Sequence, residues 1–150
     1  MTNNNFASVD IHLPEKYKEY FHQYSQTRTE GSQNKPEDSP FPRMVDMWFV
    51  ALCIAVKEKL KPKFDIEGNT YKAIEGTVFG SDTWRSNALM LLAIAHSEDI
   101  NVVDDPHKMM KIANAYALAG LPRLITLLEE RGGDTALDYL SDEITQLIES

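Results

Sequence analysis

The densest set of chemically capable side chains in this 150-residue sequence runs from His96 to His107. Two imidazoles and four carboxylates (His96, Glu98, Asp99, Asp104, Asp105, His107) fall within twelve positions there. Imidazole nitrogens and carboxylate oxygens ligate metals, and a site is preorganised when two histidines stand four apart on one helix face or when acids follow the calcium-loop spacing. Neither pattern occurs, and a loop is expected between the two histidines. A plainer account covers most of the cluster. His96 falls near a helix end, where positive charge complements the dipole, and Asp105 caps the helix that follows. The sequence therefore assigns no metal and no cofactor.

A second group lies at GSDTWR, residues 80–85. Gly80, Ser81 and Arg85 have the chemistry to hold an anion at a helix start, where free N–H groups and the dipole attract negative charge. Asp82 opposes that use, and either Ser81 or Asp82 serves equally well as a cap for the helix. Ser81, Trp84 and Arg85 are thus candidates for an anion or partner contact, weighed against capping and packing, with Trp84 expected to pack on the side of Leu91 and Leu92. No Walker or dinucleotide glycine pattern is present.

The remaining reactive groups read as structural. Cys53, between Leu52 and Ile54, is expected to be a buried thiol without the electropositive, exposed setting that a nucleophile needs. His12 and His22 read as surface residues, and no serine stands in a nucleophile elbow. The sequence makes no positive case for an enzyme. Lys57, Lys59, Lys61 and Lys63 form the only basic run. Lys57 and Lys61, expected on one helical face, are candidate phosphate contacts if Arg43 or Lys72 joins them. Otherwise they are the solubilising end of an apolar helix.

These residues must be positioned by helices. Val9, Ile11 and Leu13 alternate with Ser8, Asp10 and His12, the period of a short strand. Pro14 suits the first turn of a helix that carries Tyr17, Tyr20, Phe21 and Tyr24 on one face. Residues 25–40 contain no aliphatic or aromatic side chain and two prolines, so a mobile loop is expected. Met44 to about Leu60 forms a helix apolar all round, followed by a glycine-punctuated stretch from Pro62 to Gly80. Ala88–Ala95 belongs to another such helix. Asp105 and Pro106 start a fourth, lined by Met109, Ile112, Ala113 and Tyr116. Gly120 is expected to break it and Pro122 to begin a fifth, carrying Leu124, Ile125, Leu127 and Leu128. Asp134 caps the last. Its stripe of Leu137, Leu140, Ile144, Leu147 and Ile148 is a candidate partner surface that could equally be satisfied inside the domain. The fold class is mainly α, a single compact domain of about six helices with a minor N-terminal β-strand.

Two resemblances arise from these segments. VDIHLPEKYKEYF, from Val9 to Phe21, resembles the opening of a ribbon-helix-helix DNA-binding protein. In that family the strand pairs with its twin in a dimer, and the second helix follows within a few residues, whereas sixteen loop residues intervene here. Over residues 9–95 the order of features is a VxIxLP strand, an aromatic helix, a variable loop, Pro40-Phe41-Pro42, an apolar helix closing in lysines, and VFGSDTWRSNALMLLAIAH. This layout is similar to small accessory proteins encoded beside bacterial Dnd-type DNA phosphorothioation and restriction genes. The resemblance implies a helper that docks on a larger component and carries over no site residues.

Charge agrees with that expectation. The formal charge is −8, which disfavours polyanionic partners such as DNA or an anionic membrane. Residues 134–150 hold five acids and no base. One cysteine, no secretory leader and no apolar run longer than ten residues make the cytoplasm the default. The expectation is a noncatalytic protein with a protein partner or a homo-oligomeric state, nucleic acid being secondary. A DNA-binding regulator is the alternative, and a small enzyme comes third.

Overall fold

A computed structural model describes residues 5–26, 39–81, 83–130 and 136–149. Among them the chain forms strands β1 (Ile11–Pro14) and β2 (Thr70–Ile74), and helices α1 (Lys18–Tyr24), α2 (Met44–Lys57), α3 (Thr83–Ser97), α4 (Pro106–Glu129) and α5 (Ala136–Glu149). Single 3-10 turns precede α1, α3 and α4.

The N-terminal alternation works as its period implies: Val9, Ile11 and Leu13 are buried and His12 is exposed. β1 pairs antiparallel with β2, Leu13 opposite Tyr71 and Pro14 opposite Thr70, with an irregularity between Ile11 and His12. β2 falls in the stretch read from sequence only as glycine-punctuated.

Helix α4 is the spine. Asp105 accepts the Lys108 N–H through its side chain at 3.1 Å, and Pro106 occupies the first turn, as their types require. The expected break at Gly120 and Pro122 is corrected: α4 is one continuous helix of 24 residues with Pro122 inside it, and the α-helices among the described residues number five. Proline removes one backbone hydrogen bond and crowds the preceding turn, at a cost of about 3 kcal/mol. Burial of Leu118, Leu121, Leu124, Ile125, Leu127 and Leu128 on both sides of the proline offsets it, at about 1.5 to 3 kcal/mol for each large side chain.

Helix α2 lies along α4 at close range. A Cβ added to Gly120 would fall 1.8 Å from the Ala51 carbonyl oxygen, so glycine is required for this approach. Trp48 is fully buried between them and donates its indole N–H to Asn114 Oδ1 at 3.0 Å. Asn114 Nδ2 in turn donates to the His12 carbonyl at 3.0 Å, tying α4 to β1.

α2 ends at Lys57 in a left-handed cap. Lys59 has φ of 57°, Leu60 N–H bonds the Ala55 carbonyl, and Lys59 N–H bonds that of Val56. Residues 27–38, on which the expected mobile loop mostly falls, lie outside the described residues. The two ends flanking them are held together: Gln26 N–H donates to the Phe41 carbonyl at 2.8 Å and Ser39 Oγ to the Gln23 carbonyl at 2.6 Å. Among the described residues no helix is long and apolar enough to cross a membrane.

Candidate interaction surface

α2 and α3 meet through side chains near their starts, beginning with Asp46 in the first turn of α2. Its Oδ2 accepts the backbone N–H of Arg43 at 2.9 Å, closing one of the free donors of the helix start. Its Oδ1 accepts from Arg85 Nη2 at 2.8 Å. Arg85 is 5% exposed. Its guanidinium lies 5.0 Å from the Phe49 ring centroid and 4.6 Å from that of Trp84, and the two rings meet edge to face at 5.4 Å. The carboxylate and the two aromatic rings offset part of the cost of burying this planar cation.

This arrangement corrects the expected roles of the two neighbours. Arg85 is turned inward and engaged by Asp46. Trp84, expected to pack in the core, is 59% exposed, its ring laid over Arg85 as a surface platform. Positions 84, 88, 91 and 95 share one face of α3, and positions 49, 53 and 56 one face of α2. On those faces Leu91 is 67% exposed, and Cys53 and Val56 are exposed too. The Phe49–Trp84 contact links the two helices near their starts, beside these exposed apolar positions. Apolar groups exposed contiguously, rather than singly, mark interaction surfaces.

Cys53 stands on this surface, which corrects the buried thiol expected from its apolar neighbours. Partial burial pushes its pKa up, and the nearby Arg85 charge draws it only partly back. The thiol is therefore held in its neutral, less nucleophilic form.

The other sequence candidates fall elsewhere. Ser81 is exposed and donates its hydroxyl to the Val78 carbonyl at 3.1 Å. Asp82 lies outside the described residues. Lys57 ends α2 while Lys61 lies beyond the left-handed turn at Lys59, so the expected common helical face does not exist. Lys72 pairs with Glu75 at 3.4 Å and Arg43 lies 3.7 Å from Asp46, so each of the two charges that could extend a basic patch is engaged by a neighbouring acid. On α5, Leu140 is buried, Ile144 and Leu147 pack partly against the core, and Ile148 is 74% exposed. The Leu137 side chain and Asp134 lie outside the described residues. Among the described residues no three His, Cys, Asp or Glu side chains converge to hold a metal ion. Asp46 and Phe49 were not singled out in the sequence. The one signal there was an acid in the first turn of an otherwise apolar helix.

The buried Arg85–Asp46 pair thus holds an exposed aromatic ring on a mainly helical, single-domain scaffold. The sequence matches the family described as DNA sulphur modification system-associated protein 4 over residues 29–148. The chain belongs to that family, whose name ties it to DNA sulphur modification systems, as its layout implied. The match takes in α2 to α5 and β2, and leaves β1 and α1 ahead of it. No curated protein and no solved structure matches the chain.

Proposed function

We propose that this chain is a noncatalytic accessory subunit of a bacterial DNA sulphur modification system, and thereby of phage defence. It docks on a protein component of that system through the exposed faces of α2 and α3. The observation that carries this reading is Trp84, 59% exposed yet held in place by the buried Arg85–Asp46 pair beneath it. A preorganised tryptophan loses little freedom on binding, and tryptophans dominate the energetics of protein interfaces. The polar groups beside it support binding over catalysis, because Arg85 and Asp46 are engaged with each other. The net charge of −8 supports a protein rather than a nucleic-acid partner.

The test is co-purification of the tagged chain with the other proteins of its modification system, comparing wild type with Trp84→Ala and Leu91→Asp. Both variants are expected to keep their circular dichroism and lose the partner. Retention of the partner by both would overturn the reading. Light scattering on the same samples shows whether the partner is a second copy. A mobility shift with duplex DNA at physiological salt, weakened when Lys57 and Lys61 are neutralised, would favour a regulator instead.

A further inference from the structure

We infer that a hollow at the end of α3, sharing no residue with the Trp84 surface, binds a nucleotide. Its volume is about 690 Å³, and its walls include Phe64, His96, Asp105, His107, Lys108 and Lys111. These side chains come from three separate places: the irregular stretch after α2, the last turn of α3, and the first two turns of α4. The volume falls in the range of small-molecule sites, about 300 to 1,000 Å³.

One side of the hollow is cationic. Lys108 and Lys111 are three apart, and His107 and Lys111 four apart, so all three project from neighbouring positions on α4. Among the described residues neither ammonium nor the His107 ring has an ion-pair or hydrogen-bond partner. The single carboxylate, Asp105, is occupied in accepting the Lys108 N–H. A chain with a formal charge of −8 thus carries a net positive hollow. Two unmatched ammonium groups beside an imidazole are the chemistry that recognises a phosphate group.

The other side is aromatic. Phe64 sits on irregular backbone and is exposed, and its ring packs on that of His96 at 5.7 Å between centroids. The stretch is pinned across α4 by the Lys63 N–H, which bonds the Ala115 carbonyl at 2.9 Å. His96 is fixed from behind by Tyr116, whose ring meets it edge-on at 5.6 Å and whose Oη lies 3.0 Å from Nδ1. The hydroxyl donates to or accepts from Nδ1 according to the imidazole tautomer, and either way it fixes the orientation of the ring. An exposed, oriented aromatic pair next to a phosphate-binding wall suits a planar base attached to a phosphate, since every nucleobase has a face to stack. Inorganic phosphate would use one wall only, and a nucleotide uses both.

A free mononucleotide and a unit of single-stranded DNA share this chemistry, and titration calorimetry on the full chain separates them. The probes are AMP, inorganic phosphate, adenosine and a single-stranded hexanucleotide. AMP is expected to bind at least about tenfold more tightly than phosphate or adenosine. The double variant Lys108→Ala/Lys111→Ala should weaken AMP at least about tenfold, while Phe64→Ala should lower AMP binding toward that of phosphate and leave phosphate binding unchanged. All three positions are exposed, and unchanged thermal melting confirms that the variants fold. Tighter binding of the hexanucleotide than of AMP would identify a single strand as the source, and the reverse a free nucleotide. No binding of either, AMP binding no tighter than phosphate, or full affinity in the double lysine variant would overturn the inference.

Discussion

Asp46 divides its carboxylate between two helices: Oδ2 closes the start of α2 on the Arg43 N–H, and Oδ1 lies 2.8 Å from Nη2 of Arg85 on α3. Removing one partner of a buried pair leaves the other charge uncompensated, at a cost of about 3 to 5 kcal/mol. Arg85→Ala is therefore expected to cost about 3 kcal/mol in urea denaturation, since Asp46 keeps its Arg43 contact. Trp84→Ala, which removes an exposed ring, should cost less than about 1 kcal/mol. The sequence alone suggests the opposite order. A costly Trp84→Ala beside a neutral Arg85→Ala would show that the ring belongs to the core.

The approach of α2 to α4 sets the second prediction. At Gly120 an added Cβ would meet the Ala51 carbonyl oxygen at 1.8 Å and the Ala51 carbonyl carbon at 2.8 Å. Both are backbone atoms and cannot rotate away, so the helices would have to separate along the largest contact of the fold. Overpacking typically costs 1 to 3 kcal/mol and occasionally more. Gly120→Ala should cost about 3 kcal/mol, far outweighing alanine's better helix propensity of about 1 kcal/mol. A thermal melt of Gly120→Ala that matches or exceeds wild type would refute so close a contact.

How much of this was legible in the sequence depends on whether the deciding contact was local. The β1 alternation and the Asp105–Pro106 helix start were readable because each rests on neighbours within a few residues. The inner face of α3 was not. Its apolar residues surround the helix, so periodicity cannot say that Trp84 points out and Arg85 in. That choice is made by Asp46 and Phe49, distant in sequence. Cys53 was misplaced for the same reason. Helix α4 runs through Pro122 because tertiary burial on either side outweighs a local penalty. β2 shows only a weak alternation, with Ile74 its one buried residue, and takes its conformation from pairing with β1. The Trp84 surface is therefore half legible: Trp84 and Arg85 stand out by residue type, but which of them faces outward is set by Asp46 and Phe49.

A chain of side-chain hydrogen bonds anchored on the buried Trp48 supplies the third prediction. Trp48 Nε1 donates to Asn114 Oδ1 at 3.0 Å, and Asn114 Nδ2 donates to the His12 carbonyl at 3.0 Å, so one side chain joins α2, α4 and β1. Asn114→Ala would leave the Trp48 donor buried without its partner, a loss of about 1 to 3 kcal/mol. In a Trp48→Phe background, where that donor is gone, the same change should cost measurably less. Equal costs in the two backgrounds would show that the indole bond contributes nothing.

The last prediction concerns alkaline stability. The Tyr71 hydroxyl on β2 is buried with no hydrogen-bond partner among the described residues, and burial pushes its pKa up to about 12 from the ordinary 10.0. Burial also raises Tyr17, with Lys63 drawing it partly back. The folded state thus holds these protons more tightly than the unfolded chain does. Below pH 10 both states are protonated at Tyr71 and its contribution is fully present. Between about pH 10 and 12 the unfolded chain has released a proton that the folded chain retains, so stability must fall as pH rises, by up to about 1.4 kcal/mol per pH unit for one group. Tyr71→Phe removes that dependence. Its urea midpoint should decline less steeply than that of wild type from pH 9.5 to 11.5. At pH 7, loss of an unpartnered buried hydroxyl should leave stability unchanged or raise it by about 1 kcal/mol. Parallel declines in the two proteins would mean that the Tyr71 hydroxyl reaches water, and a large loss at pH 7 that it has a partner after all.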